Sequence, residues 1–289
     1  MKRILLITFT FFIFSVANAD IKSATLNKLS SAVESLIPGE GVTEVSLDFN
    51  DGDEDQLNFS ILGVRDINST DDSNTFTQFS LMNQEINGEE RIIGNLGFGY
   101  RKLFYDNSFM FGPNVFYDRD LTDGQSRLSL GLEAKASVLE VTANRYIKNS
   151  NSEIVKGDRE QVLSGWDYNL TTQIPKAPWA RINYNGYKWE AEKGSADLKG
   201  NIYSLELDVT KSVEIVASLD ESFLGAVDDE TSFNINYFYP PRDKIMAMTD
   251  GLSNNFFEKA NMEHKLREKV RRSNKLVMEI QGAVVMTKK

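Results

Sequence analysis

Ser126-Arg127-Leu128-Ser129-Leu130-Gly131-Leu132-Glu133-Ala134-Lys135-Ala136 alternates without a break. Leu128, Leu130, Leu132, Ala134 and Ala136 fall on one side, and Ser129, Gly131, Glu133 and Lys135 on the other. Successive side chains of a strand point to opposite faces. This stretch therefore predicts a strand with one apolar face and one face that carries charge. Eleven further segments between Thr43 and Tyr239 read the same way. They are 43–50, 57–65, 75–83, 92–103, 109–118, 139–146, 165–174, 179–187, 202–210, 213–219 and 231–239. In the second of them Leu57, Phe59 and Ile61 point outward. Repeated segments of roughly ten alternating residues are how a membrane barrel is written: lipid on one face, water on the other.

Periodicity alone does not separate such a barrel from a soluble β-sandwich, whose sheets also alternate. Two features favour the barrel. Tyr100, Tyr117, Trp166, Tyr168, Trp179, Tyr187, Trp189, Tyr237 and Tyr239 lie near segment ends, where membrane girdles occur. The connections also alternate between tight (137–138, 175–178, 211–212) and long (148–164, 188–201, 220–230), as short inner turns and long outer loops require. One connection, 66–74, is long where a short one is expected.

The first residues have the pattern of an export signal: Lys2 and Arg3, an apolar run from Ile4 to Val16, and Ala17-Asn18-Ala19 as the cleavage site. That run is shorter than the roughly 18 residues of a spanning helix. Residues 1–19 are expected to be a signal peptide, and 20–42 a short periplasmic lead. In that lead, Leu26, Leu29, Val33, Leu36 and Ile37 fall near helical spacing. The chain holds no cysteine, so neither a disulfide framework nor a thiolate metal site is available. A net charge of −10 argues against non-specific nucleic-acid binding.

Beyond Tyr239 the pattern changes. Pro240-Pro241 ends the sheet, because proline cannot donate to a ladder. From Asp250 to Arg272 apolar residues recur at helical spacing among many charges, which predicts a helix capped by Asp250 or Ser253. Leu276 to Ile280 reads as extended. The basic run from Lys265 to Lys275 has two placements: solvated outside the barrel, or inside a lumen lined by Glu44, Asp48, Glu133, Asp167, Glu206, Asp208 and Glu214. Opposite charges in a confined site would hold it there.

Several blocks, in order, resemble the β-domain of intimin and invasin, the inverse autotransporters. They are Gly97-Phe98-Gly99-Tyr100-Arg101, Val115-Phe116-Tyr117-Asp118 to Leu121, Ser126 to Glu133, Ala143-Asn144-Arg145-Tyr146, Gly165-Trp166-Asp167-Tyr168, Tyr184 to Tyr187, and Lys269 to Glu279. The resemblance implies an all-β fold: a twelve-stranded antiparallel transmembrane barrel over residues 43–239, in the outer membrane of a Gram-negative bacterium, with its N-terminus in the periplasm. It implies that residues 240–289 form a linker helix and extended tail through the pore, and it favours the lumen placement of the basic run. In that family the linker leads to adhesive immunoglobulin-like domains. Nine residues follow Ile280 here, so a short form without the passenger is expected.

Candidate lumen and plug residues are therefore Glu133, Asp167, Glu206, Asp208, Arg267, Arg271 and Arg272. Phe233, Ile235, Tyr237 and Tyr239 resemble the terminal-strand signal read by the barrel-assembly machinery, and they suit a lipid-facing strand equally well. Expected partners are outer-membrane lipid, the assembly machinery, periplasmic chaperones, and a host or cell-surface ligand at the outer loops; nucleic acid is not among them.

Nothing in the chain points to catalysis. His264 is the sole histidine and cannot build a triad or a His-rich metal site. It reads as a solvated helix residue. Asp118 and Asp120 read as structural. Asp51 to Asp55 and Asp228-Asp229-Glu230 read as solvated loop tips, since calcium needs converging oxygens that nothing here fixes. Gly97 and Gly99 lack the Lys-Ser/Thr of a phosphate loop and read as small inward residues that leave room for a plug. No cofactor or metal is expected. The expected function is anchoring and translocation of the chain's own C-terminal segment, with no enzymatic activity. The alternatives are a small channel, a loop-mediated surface-binding protein, or a soluble secreted β-sandwich.

Overall fold

The computed structural model describes residues 39–50, 58–193, 196–224, 229–244, 246–259 and 261–285. The expected signal peptide, almost all of the lead and the Asp51 to Asp55 loop tip lie outside the described residues. Sixteen strands follow in chain order. They are β1 (Gly41–Asn50), β2 (Asn58–Ser69), β3 (Ser73–Ile86), β4 (Glu89–Phe104), β5 (Phe109–Asp120), β6 (Ser126–Ala136), β7 (Leu139–Lys148), β8 (Glu153–Val155), β9 (Asp158–Val162), β10 (Ser164–Ile174), β11 (Ala177–Glu190), β12 (Leu198–Asp208), β13 (Val213–Ser222), β14 (Glu230–Tyr239), β15 (Met278–Ile280) and β16 (Ala283–Val285).

Twelve of them, all but β8, β9, β15 and β16, pair antiparallel with their neighbours and close when β1 meets β14. Closure leaves no strand edge open, the condition for a sheet to cross a membrane. Thr43 lies opposite Tyr239 at one end of the closing seam, and Asn50 opposite Ser232 at the other. All twelve expected segments are barrel strands, and the sandwich alternative falls with the closure. The irregular parity also resolves. β2 runs on to Ser69 past a register shift between Asp66 and Asn68, and β3 starts at Ser73, so the connection is short like the others at that end.

The wall is inside out relative to a soluble protein. Along β6, Arg127, Ser129, Glu133 and Lys135 are buried, while Leu128, Leu130 and Leu132 are exposed. The same inversion holds for Leu81 against Ser80 and for Leu170 against Asn169. No described helix is long and apolar enough to span a membrane. The apolar outer face is what lets this chain sit in lipid.

Two expectations about the tail and the aromatics are corrected. Among the described residues, Asp250 to Arg272 contains no α-helix, only 3-10 turns at Met248–Asp250 and Met262–Arg267. Tyr187 and Trp189 are not girdle residues; both face inward and are buried. They pack with Tyr146, Leu163, Leu198 and Val277 inside the barrel.

One feature went unanticipated. The long connection from β7 to β10 folds into the β8–β9 hairpin, and β15 adds to it beside β9, with Met278 opposite Val162 and Ile280 opposite Glu160. β16 completes a four-stranded sheet at the long-loop end of the barrel.

Candidate functional site

After β14 the chain follows the short-turn rim. Arg242 donates its backbone N–H to Lys211, Ser253 to Lys176, and Met262 to Asn107. These acceptors lie in three of the turns at that end, β12–β13, β10–β11 and β4–β5. Residues 262–280 then run through the barrel interior to the long-loop end, where β15 joins the outer sheet.

Ion pairs line this path. At the mouth Arg267 meets Asp66 at 2.7 Å and Glu40 at 2.8 Å, and Lys265 meets Glu140 at 2.7 Å. Lys269 reaches Glu44 at 2.6 Å. Arg271 forks onto Glu206 with bonds of 2.5 and 2.7 Å. Arg272 donates to Asp118 at 2.5 Å and to Ser129 at 3.1 Å. Lys275 lies 3.5 Å from Asp48. Bidentate guanidinium–carboxylate bonds are both stronger and more directional than neutral ones.

The wall also bonds the tail's backbone, which explains the missing helix. Gln78 accepts from the Val270 N–H at 2.8 Å. Arg101 donates to the Leu266 carbonyl at 3.0 Å and the Glu268 carbonyl at 2.5 Å. Asn144 donates to the Arg271 carbonyl, Arg127 to the Ser273 carbonyl, and the Tyr146 hydroxyl accepts from the Ser273 N–H. Gln84 both accepts from the Leu276 N–H at 2.9 Å and donates to its carbonyl at 2.7 Å, like a rung of a sheet. Buried backbone groups must be paired. Here the barrel supplies the partners that an α-helix would have found within itself.

Apolar seats alternate with the charges. Met262 and Leu266 pack on Leu103 and Met110. Val270 packs on Leu62, Val64, Phe76 and Phe116. Leu276, Met278 and Ile280 pack on Met82, Ile86, Ile93 and Val162. Each such side chain, fully buried, contributes roughly 1.5–3 kcal/mol.

The Arg272 side chain is shut off from solvent. Its guanidinium lies 4.3 Å from the centre of the Phe116 ring and 5.6 Å from that of Tyr146. The Phe116 ring lies where a side chain on Gly97 would be: a Cβ there would come within 2.2 Å of it. Gly99 makes the same room for Phe76, over which Arg101 stacks at 4.3 Å. Both glycines therefore seat aromatic rings, and only through those rings do they shape the space around the tail.

The candidate residues sort as follows. Arg271 and Glu206 meet directly. Arg267 and Arg272 face acids outside the candidate set, Asp66 and Asp118. Glu133 is satisfied by the wall cations Arg101 and Lys135. Asp167 accepts from Tyr146 at 2.6 Å and Asn144 at 2.7 Å, two wall groups that themselves bond the tail. Asp208 binds Arg242 at 2.7 Å and Lys244 at 3.4 Å, cations of the rim segment and not of the basic run. Lys244 is enclosed, and burial, followed by the neighbouring Arg181 charge, pushes its ammonium down to about 8. Phe233, Ile235, Tyr237 and Tyr239 lie in β14, alternating with Asn234 and Asn236; Asn236 donates inward to Glu214. His264 is half-buried, its Nδ1 2.9 Å from the Asn261 carbonyl.

Asp66, Asp118 and Glu140 were missed as lumen acids, as were Asn74, Gln78, Gln84, Asn95 and Arg101 as backbone partners. Each falls at an inward position of its strand, so the alternation marked the side they face and not what they would meet. Asp120 accepts from the wall Arg91 at 3.2 Å, a structural use like that of Asp118.

The closed antiparallel wall with an exposed apolar outer face defines an integral β-barrel membrane protein. The family described as inverse autotransporter, beta-domain, matches residues 13–274, and the chain belongs to it. Invasin of Yersinia enterocolitica is 27% identical over 173 residues, 57% of this chain and 20% of invasin. The inverse autotransporter adhesin YeeJ of Escherichia coli K12 is 22% identical over 220 residues, 73% of this chain and 9% of that protein. An attaching and effacing protein homolog of the same strain is 33% identical over 104 residues, 34% of this chain and 35% of that protein. The chain thus matches about a third or less of each relative's length. A chain solved in work on in-meso crystallization of membrane proteins superposes with a TM-score of 0.65 at 17% identity, covering 83% of this chain and 99% of that one. The protein is an outer-membrane β-barrel of a Gram-negative bacterium.

Proposed function

We propose that the barrel anchors its own C-terminal segment in the pore and carries the residues beyond Ile280 to the cell surface, the seated segment sealing the lumen. The observation that carries this is the continuous path of residues 262–280, paired by charge, backbone and apolar contact from the short-turn mouth to the outer sheet. In this reading the short turns face the periplasm and the long loops the exterior, as in other barrels of this kind. The barrel-assembly machinery and periplasmic chaperones would deliver and insert the chain, with β14 and its Phe233, Ile235, Tyr237 and Tyr239 as the recognised strand.

In this reading the barrel works physically: the inward carboxylates Asp118 and Glu206 are engaged by the tail arginines Arg272 and Arg271. Relatives named adhesin and invasin support a surface role for whatever the tail presents. The direct test is single-channel conductance after deletion of residues 254–280. A clear rise over the intact chain is expected, and unchanged conductance would refute the seal. An epitope placed after Val285 should be reached by antibody on intact cells; a signal only after lysis would refute the outward path.

A further inference from the structure

The outer wall carries one row of cations that the lumen does not use. Arg145 on β7 lies opposite Trp166 on β10, Trp166 opposite Lys188 on β11, and Lys188 opposite Lys199 on β12. By strand alternation all four point away from the lumen. The outward residues nearer the short-turn end of these strands are uncharged: Val141 and Ala143, Leu170, Ile182, Tyr203 and Leu205. A cation on a lipid-facing wall is costly at mid-membrane and nearly free at the interface. The row therefore marks the level of the headgroups at the long-loop end.

The row is also built. Glu190 holds Arg145 with bonds of 2.8 and 3.0 Å, and Asp197 holds Lys188 at 2.9 Å, both acids lying on the loop side. Lys199 is exposed and makes no ion pair among the described residues. Below the cations comes a polar aromatic ladder. The Tyr168 ring lies over Gly186, whose Cβ would meet it at 2.6 Å, its hydroxyl stands 3.2 Å from that of Tyr184, and Tyr184 donates to Asn201 at 2.8 Å. Hydroxyl and amide groups this far down an outer wall need partners that hydrocarbon cannot supply.

We infer that this face binds the phosphorylated sugar headgroup of an outer-leaflet glycolipid, with Arg145, Lys188 and Lys199 on the phosphate and Trp166 against the sugar. Aromatic rings bury apolar surface while staying compatible with a polar neighbour, and cations of this kind take phosphate oxygens in charge-assisted bonds. The site needs only the inserted barrel and is independent of what the tail does.

The test is native mass spectrometry of the full chain released from phosphatidylcholine nanodiscs. These are doped at equal mole fraction with bis-phosphorylated lipid A, dephosphorylated lipid A, or phosphatidylglycerol. Both leaflets offer the lipid, so orientation does not enter. Retention of the phosphorylated glycolipid is expected to exceed that of either other lipid about tenfold, and to fall about fivefold or more in R145Q/K188Q/K199Q. Heat-modifiable gel mobility reports whether that variant is folded. Lys199→Gln alone, which breaks no ion pair, should still reduce retention about twofold. Equal retention of phosphatidylglycerol, or retention unchanged by Lys199→Gln and by the triple variant, would overturn the assignment.

Discussion

Arg272 and Asp118 stand 154 positions apart in the chain and meet at 2.5 Å, each with a side chain wholly shut off from solvent. Arg127 and Asn95 bind the same carboxylate at 2.8 Å each, so a wall acid is shared between the wall and the tail. Removing one partner of a buried pair costs about 3–5 kcal/mol. Because Asp118 keeps two other donors, Arg272→Gln is expected near the lower end of that range, read as a drop in denaturation midpoint in detergent. Combined with Asp118→Asn the loss should fall short of the sum by about 0.5–3 kcal/mol. Strict additivity would mean that the two residues do not act together.

Gly97→Ala tests the aromatic platform. A methyl group 2.2 Å from the Phe116 ring forces the ring to move, and with it the face on which Arg272 rests. Overpacking of this kind costs about 1–3 kcal/mol. Stability should fall and ion leakage through the pore should rise, and Phe116→Leu in the same chain should recover part of both. A variant as tight and as stable as the parent would contradict this.

Position along the path should grade the arginines. Arg267 is 43% exposed at the mouth, where ion pairs contribute about 0–1 kcal/mol and are screened by salt. Arg271 forks onto a buried Glu206. Conductance recordings should show Arg267→Gln near parental and Arg271→Gln leaky. R271E/E206R is expected to restore part of the seal. Half-molar salt should imitate the first substitution and not the second.

Lys244 predicts a pH response of unusual sign for a lysine beside acids. It lies 3.4 Å from Asp208 and 3.3 Å from Glu268, yet burial and then Arg181 hold its pKa down to about 8. Between that value and the ordinary lysine range, near 10.4, the unfolded chain binds a proton that the folded one has released. Stability therefore rises across this window as pH increases, and this contribution is lost as pH falls through 8. Unfolding midpoints of the parent and Lys244→Met at pH 7.5 and 9.5 should show the parent gaining more. An equal change in both would assign the pH response to other groups.

The strands were legible because their signal is local. Leu128, Leu130 and Leu132 identify a lipid face without reference to any other part of the chain, and the same holds for Phe59, Leu96 and Leu205. Ends of strands were less so: Asp66 to Ser69 and Glu89 to Arg91 extend strands although their composition resembles loop. The aromatics misled where they were read by position alone. Tyr187 and Trp189 lie at a strand end, but their odd numbers in β11 place them inside with Asn183 and Asn185. The helix expected from Asp250 to Arg272 failed for a different reason. Helical spacing assumes a chain that bonds to itself, whereas Gln78, Gln84, Arg101 and Asn144 compete for its backbone.

Alternation marked the twelve strands and the apolar and polar face of each, since both follow from neighbours two residues apart; closure into a cylinder was decided only when β1 met β14, a pairing between opposite ends of the sheet. Which acid each tail cation would take lay beyond that local signal. Any lumen carboxylate can attract any arginine, and the match of Arg271 to Glu206, of Arg272 to Asp118, and of Asp208 to Arg242 and Lys244 was set by barrel closure, which brings distant strands around one narrow path.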